Sequence, residues 1–197
     1  MQLWRQKIHR IRTRKKEFCY NDQPSLKGAY NAAWWPSILK GLKDAECTGN
    51  LYYLSQGYFS PRTAVMTTNI SLERNVTNGC PQGSCCGRGF WNLLYNSIFK
   101  LEFTSRTKVI AFGDYLIILS KGESIVEAEN YMNLELRKIS DWAQRNKLKF
   151  NENKPKVMLM SRRERKEKRE VEIFLINKTF YSVNKIKYLE TIFDNNW

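Results

Sequence analysis

Apolar positions along this chain of 197 residues alternate between helical and strand-like spacing. Residues 34–46 have apolar side chains at helical spacing, which predicts a short amphipathic helix. Residues 61–76 alternate and are rich in β-branched side chains around a central Thr-Asn, which predicts a hairpin. Helical spacing returns over 89–101. The apolar runs on both sides of Gly113 and Asp114 predict a second hairpin, and Gly-Asp by itself is ordinary turn chemistry.

The longest predicted helix begins after Ser124, which we expect to cap it, with Glu127 as the capping-box partner. Its apolar positions recur as far as Ala143. A strand is predicted over 156–161, and two or three short strands after residue 171. The order strand, helix, hairpin, helix, hairpin, helix, strand indicates an α+β fold: a mostly antiparallel sheet with helices packed on one face.

The chain is strongly basic, with 33 Lys and Arg against 19 Asp and Glu, a formal charge of +14. A polyanion is therefore the expected partner. Residues 1–20 are interpreted as a basic arm, either helical or disordered, with a solvated charged tail as the alternative. Its cations are Arg5, Lys7, Arg10, Arg12, Arg14, Lys15 and Lys16. Residues 161–170 are interpreted as a solvated basic connection, with a nuclear import signal as the alternative.

Several classes of protein are not expected from this sequence. The apolar runs are too short to span a bilayer, and no secretory signal is visible, so we expect an intracellular chain without a membrane partner. Five cysteines and one histidine show neither the even count of a disulfide framework nor zinc spacing. The cysteines are therefore interpreted as structural thiols.

Five blocks, in order, carry a family resemblance. "NGCPQGSCCGRGFWNLLYNSI" (78–98) resembles the Pro-Gln-Gly-Ser block of reverse transcriptases, in the form found in R1-like non-LTR (LINE-type) retrotransposons. "KGAYNAAWWPSILKGL" (27–42) resembles the preceding block of that family, and "AFGDYLIIL" (111–119) resembles its Phe/Tyr-Ala-Asp-Asp hairpin. "LKFNENKPKVMLMS" (148–161) resembles the Leu-x-Phe-Asn-x-x-Lys block, and "IKYLETIFDNNW" (186–197) the primer-grip block.

The resemblance implies that residues 21–197 are a truncated, degenerate reverse transcriptase domain. It would consist of the palm subdomain, with the fingers and thumb largely missing. The family is an RNA-directed DNA polymerase, a nucleotidyltransferase that extends a DNA primer on an RNA template with Mg²⁺.

The expected chemistry requires anionic ligands for two metal ions. In-line attack of a primer hydroxyl on a nucleoside triphosphate uses two Mg²⁺ ions held by carboxylates. The resemblance assigns Asp114 as the one retained carboxylate and Ser25 and Tyr115 as the positions of two lost ones. Serine and tyrosine are neutral near pH 7, so we predict weak metal binding at Asp114 and no polymerase activity. The alternative function is that of a non-catalytic remnant that binds nucleic acid through its basic segments.

Other positions match nucleotide and primer contacts of the family. Tyr30 matches the aromatic residue under the sugar, or is a core aromatic. Gln82 and Gly83 match the loop beneath template and nucleotide, or form a helix-entry turn. Lys154 matches a lysine near the triphosphate, or is solvated. In the primer grip, Tyr188 and Leu189 are the matching residues, with strand core as the alternative.

Overall fold

The computed structural model describes residues 18–22, 26–67, 71–81, 83–151, 156–160, 173–175, 178–180, 182–188 and 191–194. The strands are β1 (Phe18–Asp22), β2 (Arg62–Thr67), β3 (Ser71–Val76), β4 (Thr107–Phe112), β5 (Tyr115–Gly122), β6 (Val157–Met160), β7 (Ile173–Leu175), β8 (Lys178–Phe180), β9 (Lys185–Tyr188) and β10 (Thr191–Asp194). The helices are α1 (Ala29–Ala32), α2 (Trp35–Asp44), α3 (Gly49–Phe59), α4 (Gly87–Tyr95) and α5 (Ile125–Arg145), and a 3-10 turn covers Asn96–Lys100.

The chain divides into two compact units. The first contains residues 1–25, 103–140 and 151–197, and the second contains residues 26–102 and 141–150. The principal sheet belongs to the first unit and has the order β4-β5-β1-β6, with every neighbouring pair antiparallel. Strand β1, one of the two inner strands, comes from a distant part of the sequence and lies between β5 and β6.

Strand β5 carries much of the core of the first unit. Leu116, Ile117, Ile118 and Leu119 are all buried, so both faces of this strand are covered. Continuous apolar runs of this kind are typical of fully buried strands. Gly122 ends the strand, and a Cβ atom there would lie 2.9 Å from the Cα of Ala128. The close approach of β5 to the first turn of α5 therefore requires glycine.

Helix α5 begins with the predicted capping arrangement. The backbone N–H of Glu127 donates to the Ser124 hydroxyl at 3.1 Å, and the Glu127 carboxylate accepts from the backbone N–H of Glu123 at 2.7 Å. That second bond is the main reason why the pKa of Glu127 lies below its ordinary value. In the part of α5 that belongs to the first unit, Met132 and Leu136 are fully buried and lie one turn apart, as the apolar spacing predicted.

Aromatic packing forms the core of the second unit. The Trp35 ring stacks on Phe59 at 5.2 Å between centroids, and Phe59 contacts Phe90 at 4.7 Å. A second series of rings runs through Tyr30, Trp91, Tyr95 and Trp142 at 5.4, 5.2 and 6.0 Å. Pairs at these separations add stabilisation beyond their buried area. The aromatic richness of the sequence is thus largely a packing feature in this unit.

The sequence predicted most of these elements, with two corrections. Both hairpins, the helices over 35–44 and 125–145, and the α+β class with an antiparallel sheet are confirmed. Helix α3 was not predicted, because Leu51 to Leu54 form a continuous apolar run without helical periodicity. In the described part of the tail there are four strands, β7 to β10, rather than two or three, and they form two separate antiparallel pairs.

Candidate active site

The tip of the β4–β5 hairpin carries the predicted catalytic position. Phe112 pairs with Tyr115 across the tip, and Gly113 and Asp114 form the two-residue turn. Gly113 has a φ of +62°, in the left-handed region that two-residue hairpin turns assign to glycine. The turn therefore has a backbone that suits the glycine of this chain better than the alanine of the family motif.

The tip carries one carboxylate, that of Asp114, and two aromatic side chains, those of Phe112 and Tyr115. Asp114 is half-buried, whereas Phe112 and Tyr115 are 50% and 44% exposed. Tyr115 has no carboxylate with which to hold a cation beside Asp114. The tip thus provides a single anionic group and a large apolar surface.

Strand β1 runs beside the hairpin strand. Asp22, its last residue, pairs with Ile118 of β5, and Phe18 pairs with Gly122. Because the two strands are antiparallel, β1 runs toward the start of β5, which begins at Tyr115. Ser25 follows Asp22 by three residues along the chain and lies outside the described residues. The assignment of Ser25 therefore stays a prediction.

The described residues do not fit a pair of magnesium ions. Within the described part of the chain, no three His, Cys, Asp or Glu side chains form a group that could hold a metal. Two adjacent dications need several anionic oxygens. One half-buried carboxylate beside a phenol falls short of that requirement, and the donor set of the tip is therefore unsuited to the metal pair of the family.

Tyr30 and the loop before Gly83 meet in the second unit. The Tyr30 carbonyl accepts a hydrogen bond from the backbone N–H of Cys80 at 2.7 Å, while its half-buried ring packs on Trp91. Gly83 is exposed, has a φ of +83°, and precedes helix α4. The loop is tied down at Ser84, whose hydroxyl donates to the Pro81 carbonyl at 2.8 Å.

The thiol of Cys80, in the same loop, is expected to react slowly. Cys80 is 2% exposed, and burial, with a smaller contribution from Cys86, raises the pKa of its thiol to about 11. Cys47, Cys80, Cys85 and Cys86 are all free of disulfide bonds, as the sequence predicted. A thiol with so high a pKa is a structural group.

The structure describes only some of the remaining predicted site residues. Tyr188 ends strand β9, with its backbone paired to Thr191. Gln82, Lys154 and Leu189 lie outside the described residues, as do the basic segments 1–17 and 161–172. The roles assigned to these residues, and the division into arm, domain and connection, therefore stay predictions. No helix in the described ranges is long and apolar enough to cross a membrane.

The fold class agrees with comparisons to known proteins. The family model described as reverse transcriptase (RNA-dependent DNA polymerase) matches residues 6–192. The chain therefore belongs to the reverse transcriptase family. A solved structure, apo telomerase from Candida tropicalis truncated from its C-terminal domain, aligns with 98% of this chain and 36% of its own at a TM-score of 0.62. With 12% sequence identity, this likeness supports the fold alone.

Relatives in sequence are proteins of R1 retrotransposable elements. A putative 115 kDa protein of type-1 element R1DM from Drosophila melanogaster is 33% identical over 100 residues, which cover 50% of this chain and 10% of the relative. An R1 Pol polyprotein from Bradysia coprophila is 28% identical over 138 residues, covering 68% and 13%. A third, from Nasonia vitripennis, is 25% identical over 109 residues, covering 55% and 32%. The chain thus spans about a third or less of these relatives.

Proposed function

We propose that this chain is a reverse transcriptase palm domain that does not extend a primer, because two of three metal-binding carboxylates are replaced. The observation that carries the proposal is the hairpin tip, where Tyr115 pairs with Phe112. The resemblance assigns Tyr115 to the position of the family's second aspartate. The other replaced carboxylate is at Ser25. Asp114 alone would leave the charge of two dications largely uncompensated.

The other positions that the resemblance assigns are nucleotide and primer contacts, which are binding roles rather than chemical ones. Tyr30, Gln82, Gly83 and Lys154 are proposed as nucleotide contacts, and Tyr188 and Leu189 as primer contacts. The bond from the Cys80 N–H to the Tyr30 carbonyl supports this, because it ties helix α1 to the loop that leads to Gly83. An RNA template and a DNA primer are the partners proposed for the domain.

Non-catalytic nucleic-acid binding is the second candidate function. It is favoured by the formal charge of +14. We propose residues 1–20 as a basic arm, 21–197 as the palm domain and 161–170 as a basic connection, with arm and connection both contacting phosphates. Binding of this kind is independent of sequence and weakens steeply with salt.

Primer extension on an RNA template with Mg²⁺ tests the proposal. The proteins compared are the unmodified chain, Ser25→Asp/Tyr115→Asp, and the same double variant with Asp114→Asn added. We expect extension by the double variant alone. Its two new carboxylates and Asp114 make three, and Asp114→Asn in the triple variant removes one of them again.

Each other result has a defined meaning. Extension by the unmodified chain contradicts the proposal, because other ligands would then hold the metals. If the triple variant extends as fast as the double variant, the hairpin carboxylates are not the metal ligands. Absence of extension in all three proteins would show that the carboxylate losses are not a sufficient explanation.

A further inference from the structure

The hairpin formed by β2 and β3, here called the ribbon, is exposed along nearly its whole length. Ten of its twelve strand residues are exposed, and the two half-buried ones, Arg62 and Val76, pair with each other at its base. An isolated two-stranded ribbon is marginally stable in water. A surface of this kind is expected to have a binding partner.

Cross-strand pairing sorts the ribbon residues onto two chemically different faces. Directly paired residues lie on the same face, and successive pairs alternate between faces. One face, here called the arginine face, consists of Arg62, Ala64, Met66, Leu72, Arg74 and Val76. The opposite face consists of Thr63, Val65, Thr67, Ser71, Glu73 and Asn75.

Charge and apolar surface are concentrated together on the arginine face. It has two guanidinium groups and no acid, whereas the opposite face has Glu73 and no cation. Met66 and Leu72 pair directly and are 60% and 58% exposed. Arg62 lies 4.5 Å from the centroid of the Tyr58 ring, which holds it at the base of the ribbon. This combination suits a ligand with phosphates and flat apolar groups.

The base of the arginine face lines a cavity of about 570 Å³ within the second unit. Arg62, Ala64 and Val76 contribute to its lining, together with Thr63 of the opposite face, Asn31, Trp35 and residues 78–81. Among the described residues, no acid lines it. Its volume is in the range of small-ligand pockets, about 300–1,000 Å³, and is too small for a duplex.

We propose that the arginine face and this cavity bind a segment of single-stranded nucleic acid. Arg62 and Arg74 contact phosphates, while Met66 and Leu72 contact bases or sugars. The cavity continues into residues 78–81, which lead to the proposed template loop at Gly83, so the strand would leave that loop along the ribbon. The inference rests on the nucleic-acid binding proposed above and assigns it a surface.

Fluorescence anisotropy with labelled single strands of about 12 nucleotides, a length typical of single-strand sites, tests the inference. RNA and DNA strands are titrated separately with the unmodified chain, Arg74→Gln and a matched control, Arg137→Gln. Arg137 is also exposed but lies on α5 in the first unit. Both substitutions remove one positive charge, and equal unfolding midpoints confirm that both variants fold.

Arg74→Gln is expected to weaken binding several-fold and to make the log–log salt slope shallower by about 0.7, the value for one phosphate contact on a single strand. Arg137→Gln should change neither quantity appreciably. Leu72→Ser should weaken binding at every salt concentration with the slope unchanged, because it removes an apolar contact.

Equal behaviour of Arg74→Gln and Arg137→Gln, in a chain that does bind, would overturn the inference alone and assign the ribbon to another partner, such as a protein. No binding by the unmodified chain, even at low salt, would overturn the nucleic-acid binding proposal together with this inference. A preference for RNA or DNA, if the inference holds, identifies which strand occupies the face.

Discussion

Phe112 and Tyr115 face each other across the tip of the β4–β5 hairpin, with Gly113 and Asp114 between them in the chain. Both rings are about half exposed, at 50% and 44%. The pairing places an aromatic side chain at the position that the family resemblance assigns to a carboxylate. It is a stable arrangement for a sheet, because cross-strand aromatic pairs contribute roughly 0.2–1 kcal/mol. Under the proposed function, tyrosine at this position leaves the site without a charge that metal binding requires.

Replacing Gly113 with the alanine of the family motif should lower the stability of the chain. Gly113→Ala is expected to lower the free energy of unfolding by about 1–2 kcal/mol, since φ is +62° there and a Cβ is disfavoured in left-handed backbone. Space is not the reason, because a Cβ at this position would meet nothing within 4 Å. Urea denaturation measures the change.

Gly89→Ala is the matched control for that measurement. Gly89 lies inside helix α4, and a Cβ there would also meet nothing within 4 Å. Because alanine is the better helix former, this substitution should stabilise the chain by roughly 0.5–1 kcal/mol. Equal effects of the two substitutions would contradict the role assigned to the Gly113 backbone.

The cap of helix α5 should contribute measurably to stability. Ser124→Ala removes the acceptor of the Glu127 N–H and is expected to cost about 1 kcal/mol of unfolding free energy. Ser124→Asp, which keeps an acceptor at the cap, should restore most of that loss. A Ser124→Ala variant as stable as the unmodified chain would show that the cap contributes nothing.

The Glu127 carboxylate gives this cap a pH dependence. Its pKa is lowered from an ordinary value of 4.5, chiefly by the hydrogen bond from the Glu123 N–H. A carboxyl group whose pKa is lower in the folded chain stabilises it above 4.5, and that stabilisation is lost as the pH falls through the folded pKa. The stability difference between the unmodified chain and Glu127→Gln should therefore shrink below pH 4.5, as measured by thermal unfolding at several pH values.

Glu135 is a fully buried acid, and we expect substitution of its cationic partner to cost more stability than substitution of Glu135 itself. Its carboxylate accepts from the Thr104 N–H at 2.8 Å and lies 3.0 Å from the Lys138 ammonium, without the alignment of a hydrogen bond. Lys138→Met would leave a buried carboxylate without its cation, which costs about 3 kcal/mol. Glu135→Gln keeps an acceptor for Thr104, and the half-exposed Lys138 remains hydrated, so about 1 kcal/mol is expected. Denaturation midpoints that reverse this order would contradict the assignment.

Thiol reactivity should follow burial in the second unit. The pKa of Cys80 is raised to about 11 by burial, whereas Cys85 is exposed. We expect iodoacetamide at neutral pH to label Cys85 first and Cys80 last, as read by peptide mass spectrometry, because the thiolate is the reacting form. Labelling of Cys80 at the rate of Cys85 would show that the loop before Gly83 opens readily.

Local chemistry made part of this fold predictable from sequence. The Ser124 and Glu127 spacing predicted a cap, and the apolar runs around Gly113 and Asp114 predicted a tight hairpin, because both depend on residues close in the chain. The insertion of β1 between β5 and β6 was not predictable, since it pairs Asp22 with Ile118. Periodicity does not encode pairing between distant segments.

The candidate site shows the same limit. The hairpin position of Asp114 follows from sequence alone, but the exposure of Phe112 and Tyr115 required the structure. The arginine face of the ribbon had a sequence signal, namely alternation with Arg62 and Arg74 on one side, that becomes visible only when the register is known. The sequence gives the residue types, but which residues share a face of a hairpin depends on the register of its two strands.

Counting the metal ions held at the hairpin site tests the central claim most directly. Electron paramagnetic resonance measures bound Mn²⁺, which accepts the same oxygen ligands as Mg²⁺, on the unmodified chain and on Ser25→Asp/Tyr115→Asp. We predict two bound ions for the double variant at concentrations where the unmodified chain retains none. Two ions bound equally tightly by the unmodified chain would contradict the account, because the charge lost at Ser25 and Tyr115 would then be supplied elsewhere.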